Sequence, residues 1–226
     1  MRGEADVAAA AALLAEPARA ALVVALTEHE ALPASALAAH AGIAPSTASE
    51  HLRRLVAGGF LLARKNGRHR YYSLADGAVA EAVEALACVA PQPPVRSLHE
   101  ATRSELIRSA RTCYDHLAGR LGVSLAIALE RDRTVIRRNG DYVLGPRAEA
   151  RCAALGIDLA ELEKQRRPVV RGCLDWSERE LHVAGALGAA LASRLFDVGW
   201  IRRRQGNRSV EVLDEGHLAS ELGLEL

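Results

Sequence analysis

The chain has 226 residues, 29 basic and 28 acidic side chains for a net charge of +1, half of its residues hydrophobic and 4% aromatic. That length suits two small domains. The ordinary balance of apolar and charged residues excludes wholesale disorder, and the near-zero net charge names no partner by itself.

Ala and Leu dominate the apolar share, which points to helices packed closely on small side chains. Lys65 and Lys164 are the only lysines, a bias toward Arg that reads first as a GC-rich genome. No apolar run reaches the roughly 18–20 residues of a membrane span. The Ala-rich stretch Ala8–Leu14 lacks a basic leader and runs at once into Glu16 and Arg19, so it reads as a helix of a soluble, cytoplasmic protein and not as a signal peptide. Cys88, Cys113, Cys152 and Cys173 show no disulfide-framework spacing and read as thiols.

In chain order, helices are predicted over about Ala8–Ala15 and Ala18–Leu26, with Pro17 in the first turn of the second. Helices follow over Pro33–His40 and Pro45–Ala57, separated by a turn at Gly42 and ended by Gly58-Gly59. Strands Phe60–Arg64 and His69–Leu74 flank Asn66-Gly67, the strongest short hairpin signal. A further helix covers Gly77–Val89, and Pro91, Pro93 and Pro94 stiffen a linker. The expected domains are therefore 1–90, a linker at 91–96, and 97–226.

The second half opens on Ser97-Leu98-His99-Glu100, a capping box for a helix expected to run through Leu121 or beyond. It also repeats itself. His116-Leu117-Ala118-Gly119-Arg120-Leu121-Gly122 aligns with His182-Val183-Ala184-Gly185-Ala186-Leu187-Gly188, and over 116–140 against 182–206 there are 11 identities in 25 pairs. After a one-residue shift, Leu155-Gly156-Ile157-Asp158-Leu159 matches Leu222-Gly223-Leu224-Glu225-Leu226. The expectation is a duplicated unit of helix, hairpin and short helix, with copies at about 111–159 and 177–226.

The functional signal lies between Leu32 and Ser73. Leu37, Ala38, Ile43, Ala48, Leu52 and Leu55 can close two helices over a turn in which Gly42 supplies a positive φ. Ser46, Ser49, Glu50 and Arg53 fall at i, i+3, i+4 and i+7 and share one face. Short hydroxyls reach phosphates or base edges, and Arg forks onto guanine. Glu50 can accept from cytosine, orient a neighbouring Arg or His, or be solvated.

From His51 to Arg70 there are six Lys/Arg residues and no carboxylate, a local basic footprint in a nearly neutral chain. The candidate DNA-binding set is Ser46, Thr47, Ser49, Glu50, His51, Arg53, Arg64, Lys65, Arg68 and Arg70. A solvated basic turn is the plainer alternative for the hairpin tip.

Four stretches carry a family resemblance: Leu-Ala-Glu-Pro-Ala-Arg (14–19), Leu-Pro-Ala-Ser-Ala-Leu-Ala (32–38), Pro-Ser-Thr-Ala-Ser-Glu-His-Leu (45–52) and Gly-Arg-His-Arg-Tyr-Tyr-Ser-Leu (67–74). Together, over about residues 10 to 90, the chain resembles the ArsR/SmtB-type winged-helix repressors. The resemblance implies a homodimer joined through the first and last helices of this domain, bound to a palindromic operator in double-stranded DNA and weakened by an effector. The family's metal sensors often carry a Cys pair at the start of the first helix of the motif, but Leu32–Leu37 holds no Cys, and Gly77–Val89 offers only Glu81, Glu84 and Cys88. Sensing is therefore assigned to the added half.

In that half, Cys113 and His116 are read at i, i+3 on one helix, Cys173 on a strand over Pro168–Trp176, and His182 near the start of the second copy's helix. Two related copies can bring Cys113, His116, Cys173 and His182 together as a tetrahedral site for zinc or a similar metal. The alternatives are helix-packing histidines with buried small cysteines, an organic-ligand pocket lined by Tyr114, Trp176 and Trp200, and thiol oxidation at Cys113 or Cys173.

The fold class is mainly α with small β-hairpins (α+β): a winged helix-turn-helix followed by two repeated helix–hairpin units. The function read from it is a non-enzymatic, sequence-specific transcriptional regulator, a dimeric repressor with an effector domain. A winged-helix interaction or architectural module, or a thiol enzyme using Cys113, are the alternatives.

Overall fold

The computed structural model describes residues 5–27, 29, 31–67, 69–91, 97–204 and 208–224, and divides into two compact units, 1–83 and 84–226. Arg68, the linker residues 92–96, Gly206 and the end of the second copy at 225–226 lie outside the described residues.

The first unit opens with α1 (Val7–Leu14) and α2 (Pro17–Thr27). Asp6 caps α1 by accepting from the Ala9 N–H at 2.9 Å. Arg19 turns back and donates to the carbonyls of Leu13 (2.6 Å) and Ala12 (2.9 Å), a cation at the helix end whose dipole favours it. Next come β1 (Leu32–Pro33), α3 (Ala34–Ala41), α4 (Pro45–Ala57), β2 (Leu61–Asn66) and β3 (His69–Leu74); α5 (Gly77–Val89) starts in this unit and ends in the second. The strands form an antiparallel sheet in the order β1-β3-β2, with Leu32 opposite Tyr72 and Asn66 opposite His69. β1 goes unseen in the sequence because two residues carry no periodicity.

Gly42 ends α3 at φ +63°, a left-handed position where any side chain is strained. Ala48, Leu52 and Leu55 bury one stripe of α4 against Leu22, Val23, Leu26, Leu37, Leu61 and Tyr72. Truncating a fully buried leucine such as Leu52 to Ala costs about 2–5 kcal/mol. The buried stripe leaves Ser46, Thr47, Ser49 and Arg53 facing outward.

In the second unit, Ser97 caps α6 (Leu98–Ser109) by accepting from Glu100 N–H at 3.1 Å, but the helix stops at Ser109 and does not reach Leu121. Ala110 is extended, Tyr114 takes φ +59° and Gly119 φ +72°, values no helix interior accommodates. The chain makes a hairpin there, β4 (Arg111–Cys113) with β5 (His116–Ala118), before α7 (Gly119–Arg131). Cys113 and His116 therefore do not share a helix face. His182 likewise lies on a strand, not on a helix.

After α7 come β6 (Val135–Arg138) with β7 (Asp141–Leu144), α8 (Ala148–Ala154) and α9 (Leu159–Glu163). The order then recurs: β8 (Arg171–Leu174) with β9 (Leu181–Ala184), α10 (Gly185–Asp197), β10 (Ile201–Arg203) with β11 (Val210–Val212), and α11 (Glu215–Leu222). The recurring unit thus includes a hairpin ahead of each long helix, which the expected helix, hairpin and short helix lacked.

Leu121, Leu125 and Leu129 of α7 and Leu187, Leu191 and Leu195 of α10, each at i, i+4 and i+8, fill one shared core. α7 packs on β9 and α10 on β5, so each long helix lies against the strand of the other copy. Among the described residues no single helix is long and apolar enough to cross a membrane.

Candidate functional site

On α4 the outward face carries Ser46, Thr47, Ser49 and Arg53. The Ser49 hydroxyl donates to the Pro45 carbonyl at 2.8 Å. Glu50 accepts from Arg53 at 2.8 Å and from Arg54 at 2.8 Å, and these two hydrogen bonds, Arg53's first, hold its carboxyl down at about 2. Arg54 is absent from the sequence-derived set, although its i+4 spacing from Glu50 signals the pair. His51 points elsewhere: it is half-buried with Nε2 3.6 Å from Glu16.

In the wing, Arg64, Lys65 and Arg70 are exposed, and Lys65 stands directly opposite Arg70. Like charges directly opposite destabilise a strand pair, a cost that an anion lying across them removes. A glycine-turned helix pair with a basic two-stranded wing is a winged helix-turn-helix, a DNA-reading class.

The second unit gathers the other four candidates. Cys113 faces His116 across β4–β5, and Cys173 faces His182 across β8–β9. The sulfurs lie 3.9 Å apart, the two Nε2 atoms 3.1 Å apart, and all four ligand atoms fall within 4.8 Å of one another and are buried. For ordinary zinc–sulfur and zinc–nitrogen bonds, the corresponding edges of a tetrahedron are about 3.8 and 3.3 Å. The S–S and N–N edges thus match those of a four-coordinate site, and the donors suit a soft-to-borderline metal ion.

Repeated glycines make the approach feasible. Gly122 of α7 stands beside the His182 Cβ and Gly188 of α10 against the His116 Cβ, and a Cβ on either would collide with the carbonyl of Leu117 or Val183. Gly119 and Gly185, at φ +72° and +84°, turn each strand into its helix.

Each imidazole has a carboxylate behind it. Asp115 lies 3.2 Å from His116 Nδ1 and pairs with Arg167. Asp175 lies 3.6 Å from His182 Nδ1 and is fully buried, accepting from Arg111 (2.9 Å), the Gly119 N–H (2.7 Å) and the Ser177 hydroxyl (2.7 Å). Burial alone would raise the Asp175 pKa, but the Arg111 charge and these hydrogen bonds hold it far below the usual range. A carboxylate hydrogen-bonded as Asp115 is orients a metal-binding imidazole, whereas Asp175 stands near His182 Nδ1 without a hydrogen bond to it.

The Cys113 thiol is pushed up by its hydrogen bond with Cys173 and by burial. Cys173 is pulled down by that same bond and, against burial, by both imidazoles. Burial would lower His116, yet its hydrogen bonds to Asp115 and Cys173 raise it.

The aromatic side chains named for an organic pocket have their own partners. Trp176 stacks under Arg111 at 4.8 Å, Trp200 stacks on His217 at 5.3 Å, and Tyr114 is exposed at the β4–β5 turn.

A family model described as a helix-turn-helix domain matches residues 14–63. Over 216 residues, 96% of either chain, the sequence is 38% identical to the HTH-type transcriptional regulator YdfF of Bacillus subtilis (strain 168). The chain belongs to the helix-turn-helix transcriptional regulators, and the likeness takes in both units.

Among solved structures it is similar to the transcriptional repressor BigR from Xylella fastidiosa, at 28% identity and TM-score 0.36 over 39% of this chain and 89% of that one. It is also similar to the cadmium metal-sensor CMTR from Mycobacterium tuberculosis, at 35% identity and TM-score 0.32 over 40% of this chain and 98% of that one.

Proposed function

We propose that this transcriptional regulator is a cytoplasmic dimeric repressor that binds a palindromic operator through α4 and the wing, and that a zinc-class divalent ion held by Cys113, His116, Cys173 and His182 in its C-terminal domain is the effector. The domains of this reading are 1–90 and 97–226, the latter a duplicated unit. On DNA, Ser46, Thr47, Ser49, Arg53 and Arg54 face the major groove, and Arg64, Lys65, Arg68 and Arg70 meet phosphates.

The observation that carries the effector reading is the reciprocal gathering of four ligand atoms with near-tetrahedral edges. Charge supports a divalent ion. Two thiolates and two neutral imidazoles sum to minus two, and the neighbouring Asp115 and Asp175 are already matched by Arg167 and Arg111. A buried site avoids net charge. Four protein ligands leave no open position for a substrate, so the centre acts by holding its ion and not by turnover. Dimerisation is supported by the exposed apolar positions Ala78, Ala82, Leu86 and Val89 along α5.

The test begins with duplexes selected from a random pool by the reduced protein. A selected palindrome, bound by two chains, is expected. Arg53→Ala should relax discrimination, and Arg70→Ala should weaken all sequences alike with a salt slope shallower by about one. Unchanged affinity and salt dependence in both variants would remove this reading surface. Elemental mass spectrometry of untagged reduced protein should find about one zinc-class ion per chain, and titrating that ion should change operator affinity. No metal bound and none taken up would remove the effector reading.

A further inference from the structure

The two sulfurs of the cluster come from different hairpins, sit 3.9 Å apart, and are enclosed by Ala118 and Ala184. The other two thiols are placed differently. Cys152 lies in the helical core, and the Cys88 sulfur lies 3.6 Å from the Leu174 carbonyl. Only Cys113 and Cys173, among the described residues, contact each other as thiols. A disulfide needs its sulfurs at about 2.0 Å, so the pair must close by roughly half its present separation. Cys113 ends its strand at the turn and Cys173 is one pair short of the turn-side end of its own, each in a two-stranded hairpin where little sheet structure opposes such a shift.

We propose that the centre is also a thiol redox switch, in which hydrogen peroxide joins Cys113 to Cys173 and thereby expels the bound ion; this rests on the ion being held there. Cys173, at 8% exposure against 2% for Cys113, meets the oxidant first. Its sulfur attacks one peroxide oxygen: an S–O bond forms, the O–O bond breaks, and hydroxide leaves and takes a proton to become water. The Cys113 sulfur then attacks the sulfenic sulfur of Cys173: the S–S bond forms, the S–O bond breaks, and a second water leaves. Two ion-bound thiolates, one peroxide and two protons from solvent give one disulfide and two waters, the sulfurs losing the two electrons that the peroxide gains. Disulfide sulfurs no longer serve as thiolate ligands, so the ion retains only His116 and His182 and departs hydrated. The Arg111–Asp175 and Arg167–Asp115 pairs involve no sulfur and stay in place.

The experiment takes the full zinc-loaded chain, adds hydrogen peroxide, and follows free zinc with a colorimetric chelator while trapped peptides are mapped under non-reducing conditions. Expected are release of about one zinc per chain, a Cys113–Cys173 linked peptide, and re-uptake of zinc after dithiothreitol. A Cys88→Ser variant should behave identically. Zinc retained after peroxide is consumed, release with Cys173 as sulfinic acid, or a linkage through Cys88 or Cys152 would each overturn the switch. A reduced chain that holds no zinc and takes up none would defeat the ion reading instead, and the peptide map of the same sample would still decide whether Cys113 and Cys173 pair.

Discussion

Gly188 stands against His116 of the other copy: a Cβ built on it would lie 3.1 Å from the His116 Cβ and 2.4 Å from the Val183 carbonyl oxygen. Gly122 faces His182 in the reciprocal way, with the Leu117 carbonyl oxygen at 2.5 Å. Neither clash is with a flexible side-chain end, so backbone must move. Gly188→Ala is expected to destabilise the chain by about 1–3 kcal/mol and to displace His116 as a ligand. Thermal melts with and without zinc check this: the zinc-dependent rise in Tm should shrink in the variant, and an undiminished rise would show that His116 has kept its place.

Cobalt(II) should replace zinc in the cluster and report its geometry by absorption. Two thiolates and two imidazoles in a tetrahedron give intense visible bands and near-ultraviolet sulfur-to-metal charge transfer. Cys173→Ser should weaken the charge-transfer band and lower affinity by orders of magnitude, whereas Cys152→Ser, far into the helical core, should leave both intact. Weak bands of octahedral type in the unmodified chain would contradict the assignment.

Glu50 restrains two arginines on the proposed DNA-reading face. Glu50→Gln should free Arg53 and Arg54, raise affinity for random duplex, and lower the ratio of operator to random binding. Fluorescence anisotropy at two salt concentrations measures both. The Glu50 carboxyl is held at about 2, below its unfolded value, so it stays ionised at higher pH and is neutralised only as pH falls toward 2. Between roughly pH 5 and 8 the effect of the substitution should therefore be constant, and a loss of the effect as pH falls to 5 would mean that this carboxyl is not held down by the arginines.

Arg111 and Asp175 are both fully buried and paired at 2.9 Å. Removing one partner strands the other charge, so Arg111→Met or Asp175→Asn should each cost about 3–5 kcal/mol, and an apolar double replacement less than the sum. Urea denaturation of the two singles and the double measures the coupling. Strictly additive losses would mean the pair is not coupled.

Much of the first unit is legible in sequence because its signals are local. α4 and α5 fall where Pro45, the Gly58-Gly59 pair and Gly77–Val89 place them. The break at Ser109 is not legible in that way. The capping box predicts where α6 starts, but its end depends on Arg111 burying its guanidinium against Asp175, 64 residues away.

The same distance problem shapes the cluster. The repeat brings Cys113, His116, Cys173 and His182 under suspicion, yet helical spacing suggests the wrong local geometry for Cys113 and His116. The Tyr114–Asp115 turn, with Tyr114 in a left-handed conformation that non-glycine residues rarely adopt, makes them cross-strand neighbours. Three residues apart fits both a helix face and a tight hairpin, and only the partner copy decides between them.

Because α7 rests on β9 and α10 on β5, the two segments share one core and each supplies half of the four-residue cluster. One hairpin–helix–hairpin segment presents a single Cys and a single His, and the second segment presents the other pair. Under the proposed reading, the ion would bridge two segments of one polypeptide, as a metal bridges the chains of a dimer. Their tether turns an encounter between two molecules into an intramolecular docking, so ion affinity should not fall when the protein is diluted.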